Sequence, residues 1–352
     1  MSSAAPKSRT LLLTAAAASV ALGLAACSSG SSGSGTDATG DGGSGSGSTK
    51  VAAVIKGLDN PFFQAMEQGI DETAEADGVE VSVQAAADIG DTTGQADKLA
   101  ALAGQDFGCF VVNPISGTNL VQALAPVGAA GTPVVNIDSP IDADAASAAN
   151  LDIATYIGTD NEAAGGKAGD FVLANVDPGA QVAIIGGIAG DVTSAARVDG
   201  FKAAVGGDVD VIQEEAADWK RDIALTKATD ILAANPDVSA FFAANDDMGL
   251  GIVKAVENAG KTGQVVVVSV DGNQDALQSV LDGGLSATVA QYPYAIGSLG
   301  VQACQVAAAG TELPAEIESP TALVDASVAQ QAIDAFPQPF EEFDNPLTDL
   351  LP

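Results

Sequence analysis

From Lys50 onward the chain alternates short apolar runs with alanine-rich stretches of helical period, and that alternation restricts it to one class of fold. The runs are "VAAVIKG", "VEVSVQ", "CFVVNP", "PVVNID", "ATYIGTD", "QVAIIGG", "VDVIQ", "SAFFAAND", "VVVVSVDG" and "SATVAQYP". Between most of them lie stretches of about 10–17 residues with apolar side chains three to four apart. Phe62 to Ala76 is one, with Phe63, Met66 and Ile70 on one face. Strands alternating with helices predict α/β architecture, parallel sheets covered by helices. About 300 residues exceed what one such sheet usually needs, so two domains are expected.

The residues that close the strands are polar. Asn60 follows the first, Asn113 the third, Asp138 the fourth, Asn245 the eighth, Asp271 the ninth and Gln291 the tenth. Each on its own is explained as a helix cap or a turn starter. Parallel sheets, however, bind ligands outside the carboxyl ends of their strands. Six such side chains from both halves, all able to bond hydroxyls, point to one shared cleft. The "LDNPFF" segment places Phe62 and Phe63 at the same end, in a chain that is only 4% aromatic.

Several function classes are excluded or disfavoured. The chain has no histidine, so imidazole acid–base steps and histidine metal sites are absent. "GGIAGD" lacks the spacing of a phosphate loop and reads as a tight turn. Asp246–Asp247 has no calcium loop around it and reads as a solvated helix cap. No metal or cofactor is expected, and no enzyme. Formal charge is −33, which argues against a nucleic-acid partner.

The first 26 residues read as an export signal: Lys7 and Arg9, then an apolar run ending in small residues. "LAAC" resembles a bacterial lipobox, which implies cleavage before Cys27 and lipidation of its thiol. Residues 27–49 then form a Gly/Ser tether spanning about 25 Å on average. Cleavage removes two basic residues and no acid, leaving 11 Lys+Arg against 46 Asp+Glu, a balance of −35. The expected location is extracytoplasmic, with the membrane reached through the lipid anchor only. Cys109 and Cys304, in a strand and a helix pattern, are expected to be buried free thiols rather than a bridge.

Eight segments in order, among them "LDNPFFQAMEQGIDETAEADG", "VVNPIS", "IGTDNEAAGGKAGDF", "TSAARVDGF", "ADWKRDIALTKATDILAANPD" and "FFAANDDMGLGIVKAVENAG", resemble the ribose-binding protein family. These are the sugar receptors of ABC importers, type I periplasmic binding proteins. The resemblance implies two Rossmann-like parallel-sheet domains joined by a three-crossover hinge near Gly158–Asp160, Gln291–Tyr292 and Ser319–Ala322. One sugar-binding domain would then hold 50–159 and 292–318, the other 160–291 and 319–352. It implies a monosaccharide or polyol ligand, an ABC permease with its cytoplasmic ATPase as partner, and a monomer. A sugar-sensing module feeding a receptor is the alternative.

The implied ligand-binding residues are Asn60, Phe62, Phe63, Asn113, Asp138, Thr159, Arg197, Trp219, Asn245, Asp271 and Gln291. One phenylalanine would form a wall of the site, and Trp219 the wall opposite. One position departs from the family. Its ribose binders follow the fourth-strand aspartate with an arginine, and this chain has Ser139. The departure implies a missing donor, an open space and a ligand other than ribose. It also leaves Arg197 as the one cation expected to oppose Asp138 and Asp271.

Overall fold

The computed structural model describes residues 50–341 and 343–352. The expected signal peptide, Cys27 and tether lie outside the described residues. The first sheet begins with β1 (Lys50–Ile55), β2 (Glu80–Ala85), β3 (Cys109–Val112), β4 (Val134–Ile137) and β5 (Thr155–Thr159). Helices α1 (Pro61–Asp77), α2 (Thr92–Ala103), α3 (Val121–Ala129) and α4 (Ala143–Ala148) connect them. The second sheet follows with β6 (Gln181–Gly186), β7 (Asp210–Ala216), β8 (Val238–Ala243), β9 (Val266–Asp271) and β10 (Ala287–Ala290). Its helices are α5 (Asn161–Asn175), α6 (Val192–Val205), α7 (Arg221–Ala234), α8 (Asp246–Asn258) and α9 (Gln274–Leu281). The chain closes with α10 (Pro293–Ala308), β11 (Glu316–Ser319), β12 (Ala322–Asp325) and α11 (Ala329–Ala335).

Strand order is β11-β5-β4-β3-β1-β2 in one sheet and β12-β10-β9-β8-β6-β7 in the other. Every pairing is parallel except that of β12 with β10. The chain therefore passes between sheets three times: after β5, after β10, and between β11 and β12. The last two strands are four residues each, too short for a period to declare itself, and the apolar-run pattern does not reveal them.

Each sheet is buried on both faces, as parallel sheets are. Val51, Ala53 and Ile55 pack beneath α1 and α10, while Ala52 and Val54 face α2 and α3. The second sheet repeats the scheme. Ile184 and Val182 meet α5 and α6, and Ile185 and Ala183 meet α7, α8 and α9. Helices α5 and α6 approach closely because glycine stands at the contact: a Cβ on Gly165 would lie 2.0 Å from the Arg197 carbonyl oxygen. That approach brings Arg197 to the start of α5.

Two expectations are corrected. Cys109 and Cys304 form a disulfide, with Cα atoms 5.7 Å apart. Helix α10 returns from the far end of the sequence to lie across β3, so two apolar-looking cysteines 195 residues apart become neighbours. The segment expected to belong wholly to the second domain also divides. β12 and α11 join the second sheet, and Phe336 and Phe340 pack on its core. Leu347, fully buried, instead enters the core of the first sheet, with Phe343 and Leu350 beside it. Apolar residues every three or four positions give both lobes something to bury, and the tail crosses from one to the other.

Candidate ligand-binding site

The carboxyl ends of both sheets open on one cleft. Its lining includes Asn60, Phe62, Phe63, Asp138, Arg197, Trp219, Asn245 and Asp271, eight of the eleven expected residues. Lys56, Ser139, Asp191 and Thr193, with Ile89, Ile115 and Ile188, complete it.

From the first lobe, Asn60 serves as both cap and lining. Its Oδ1 accepts the Phe62 N–H at 2.9 Å and starts α1, and Pro61 fits the first helical turn. The cap sets Phe62 and Phe63 at the start of α1 beside the cleft, where their rings meet edge to face at 5.2 Å. Both rings line the cleft and both join the core beneath it.

Asp138 leaves β4 with φ 60°, a conformation that costs a residue with a side chain. The Tyr156 hydroxyl donates to the Asp138 carbonyl at 2.7 Å and holds that turn. Burial raises the Tyr156 phenol pKa, with the Asp138 carboxylate adding to the shift, so Tyr156 stays a donor.

The space beside Ser139 is filled. Lys56 Nζ donates to Ser139 Oγ at 2.6 Å and stands 3.5 Å from Asp138 Oδ2, with the Phe63 ring 5.3 Å away. The expected missing donor is thus supplied from another strand. Strands β1 and β4 flank β3, and the long lysine stem spans the gap between their ends. Lys56 escapes the pattern because it reads as the trailing edge of an apolar run, next to Gly57.

From the second lobe, Arg197 is nearly fully buried. It donates through Nε to Asn161 Oδ1 at 2.8 Å, and through Nη1 to the Ala244 carbonyl at 2.7 Å and Asp271 Oδ1 at 3.1 Å. Gln291 Nε2 donates to the same Asp271 oxygen at 2.8 Å; Gln291 lies behind the cleft and braces the carboxylate. Asn245 caps α8 by accepting the Met248 N–H, and also lines the cleft. Trp219 lines the same cleft from the second lobe, its ring 5.8 Å from the Arg197 guanidinium carbon.

The remaining two expected residues lie elsewhere. Asn113 is fully buried, its Nδ2 against the Met66 sulfur and its Oδ1 without a protein partner among the described residues. Thr159 lines a separate hollow beside the first crossover, with Asp160, Glu316 and Glu318.

Asp246, expected as a solvated cap, is fully buried. It accepts Ser269 Oγ–H at 2.6 Å, Thr288 Oγ1–H at 2.7 Å and the Asn273 N–H at 2.7 Å. Helix α8 starts so close to β8 that its first residue faces β9 and β10 rather than water. Burial raises the Asp246 pKa, the Asp271 charge adds to this, and the three hydrogen bonds oppose it. Asp271 is likewise raised by burial, with Arg197 opposing and Asp138 adding. Among the described residues no cluster of His, Cys, Asp or Glu could hold a metal ion, and no helix is long and apolar enough to cross a membrane.

Comparison with known proteins decides the family. Residues 51–312 match the model of the periplasmic binding protein domain. The chain belongs to that family. It is 38% identical over 256 residues to the D-allose-binding periplasmic protein of Escherichia coli (strain K12), covering 71% of this chain and 82% of that one. It is 32% identical over 269 residues to the ribose import binding protein RbsB of Bacillus subtilis (strain 168), covering 76% and 85%. Its fold is similar to that of an ABC transporter periplasmic solute binding protein from Actinobacillus succinogenes 130z with bound D-allose. The TM-score there is 0.76 at 29% identity, covering 80% of this chain and 99% of the other. The periplasmic binding protein match runs from β1 through α10, so both walls of the cleft fall within it.

Proposed function

We propose that the protein is the substrate-binding lipoprotein of an ABC sugar importer, capturing a neutral monosaccharide or sugar alcohol between its lobes. The observation that carries this reading is the cleft itself. Each lobe contributes a carboxylate beside a cation, Asp138 with Lys56 and Asp271 with Arg197, and rings line it from both sides. Sugar hydroxyls donate to carboxylates and accept from cations, and C–H faces pack on rings. Asp138, Asp191 and Asp271 outnumber Lys56 and Arg197, so a sugar acid meets net negative charge.

The proteins named for D-allose and ribose support the ligand class. D-Allose is the first candidate. Ribose is placed behind it because the Lys56 ammonium, just past the end of β1, replaces the family's arginine fork, and the two present hydrogen bonds differently.

In this reading residues 50–159 and 292–318 form one domain, and 160–291 with 319–340 form the other. They close on the sugar, and the closed form docks on the permease without any chemistry on the ligand. Lipidated Cys27 and the tether hold the protein, a monomer, outside the cell membrane. Small-angle scattering with and without saturating D-allose tests the closure, and a more compact bound form is expected. An unchanged profile while calorimetry shows binding contradicts it.

A further inference from the structure

We propose that Gly187 is the positioning residue of Trp219, and that the "GGIAGD" turn exists to seat the indole at the cleft wall. Asp218 and Trp219 have φ 53° and 62°, two successive side-chain-bearing residues in the left-handed region. Bulky residues rarely adopt that conformation, so something must hold the ring where it is.

The ring lies directly on Gly187. A Cβ there would meet Trp219 Cε2 at 2.2 Å, Cζ2 at 2.4 Å and Cδ2 at 2.5 Å, and these are its three nearest atoms. Gly187 is not itself in the left-handed region, so its backbone would accept alanine; the indole is what demands glycine. Nor can Gly187 retreat. Its N–H donates to Ser194 Oγ at 2.8 Å, and its carbonyl accepts the Asp218 N–H at 3.3 Å. The pairing of β6 with β7 explains the meeting, since Gly186 stands opposite Ala216 and the two chains run on side by side. The seated ring reaches the cleft next to Arg197.

The inference rests on the sugar-binding reading only for what the ring meets. The seat is a property of the ligand-free protein. Trp219 is the single tryptophan in the chain, so its fluorescence reports the seat directly.

The experiment compares Gly187→Ala, Trp219→Ala and the double variant in the mature chain, by acrylamide quenching, thermal melting and D-allose calorimetry. Gly187→Ala is expected to raise the quenching constant at least about twofold and weaken D-allose at least about tenfold. In the Trp219→Ala background the same change should cost less than about twofold in affinity and almost nothing in melting temperature. Should Gly187→Ala fail to fold while the double variant folds, the seat is supported directly. Unchanged quenching, an equal melting cost with and without the indole, or a double variant that also fails to fold would overturn the proposal. Failure of the wild type to bind D-allose would count against the ligand reading, while quenching and melting still decide the seat.

Discussion

The two lobes bring the same chemistry to the cleft and hold it differently. In the second lobe the Arg197–Asp271 pair is almost fully buried, at 3.1 Å, and Asn161, the Ala244 carbonyl and Gln291 brace it. Behind it a second buried carboxylate, Asp246, ties β9, β10 and the turn at Asn273 together. In the first lobe the Lys56–Asp138 pair is looser, at 3.5 Å, and the lysine spends its close contact on Ser139. That lobe is fastened away from the site instead, by the Cys109–Cys304 disulfide and by Leu347 in its core. Where charge is buried, binding and folding share the same residues; where a covalent staple carries the fold, the site is free to vary.

The largest effect follows from breaking the buried pair. Arg197→Met leaves Asp271 buried beside Asp246 with no cation, and losing one partner of such a pair costs about 3–5 kcal/mol. Denaturant unfolding should show that loss, together with loss of sugar binding. A stability loss under about 1 kcal/mol would remove the asymmetry claimed for the second lobe.

Next is the staple. Replacing both Cys109 and Cys304 by alanine should cost roughly 2–5 kcal/mol, because the bridge closes a long loop, and should leave ligand affinity within about twofold once the protein is folded. A large affinity loss would show that the staple and the site are coupled after all.

Lys56→Met is expected to do the reverse. Affinity should fall about tenfold or more, as a hydrogen bond to a charged donor is worth about 1.5–3 kcal/mol, while the melting temperature falls less than in Arg197→Met. Calorimetry paired with a melting curve separates the two.

The remaining effect is a slope. Asp246 and Asp271 both have raised pKa values in the folded chain. As pH rises through the ordinary carboxylate range, the unfolded chain loses these protons first. Stability present at low pH is therefore lost until the raised values are passed. Relative to wild type, Asp246→Asn should flatten the fall in ligand-free stability between about pH 5 and about pH 8. An unchanged slope would mean that Asp246 is ionised throughout that range.

Much of this was legible along the chain. Ten strands announce themselves as apolar runs, and polar residues at their ends mark the cleft because topology, not side-chain detail, aligns those ends. What escaped is what depends on juxtaposition across the sheet. Lys56 looks like the end of a strand until β1 and β4 stand either side of β3. Asp246 looks like a solvated cap until β9 and β10 close over it. Cys109 and Cys304 look like separate apolar positions until α10 crosses β3, and the tail reads as part of the second domain until Leu347 is buried in the first. Each needs the distance between residues far apart in sequence, which no local period encodes.

In the proposed site one neutral monosaccharide or polyol is held between a cation–carboxylate pair from each lobe. Titration calorimetry of the protein against D-allose, other neutral hexoses, D-ribose, sugar alcohols and a uronic acid tests it most directly. One site per chain is expected for a neutral sugar or polyol, bound at least about tenfold more tightly than either D-ribose or the uronic acid. Tightest binding of the uronic acid, or no binding of any neutral sugar or polyol, would contradict it.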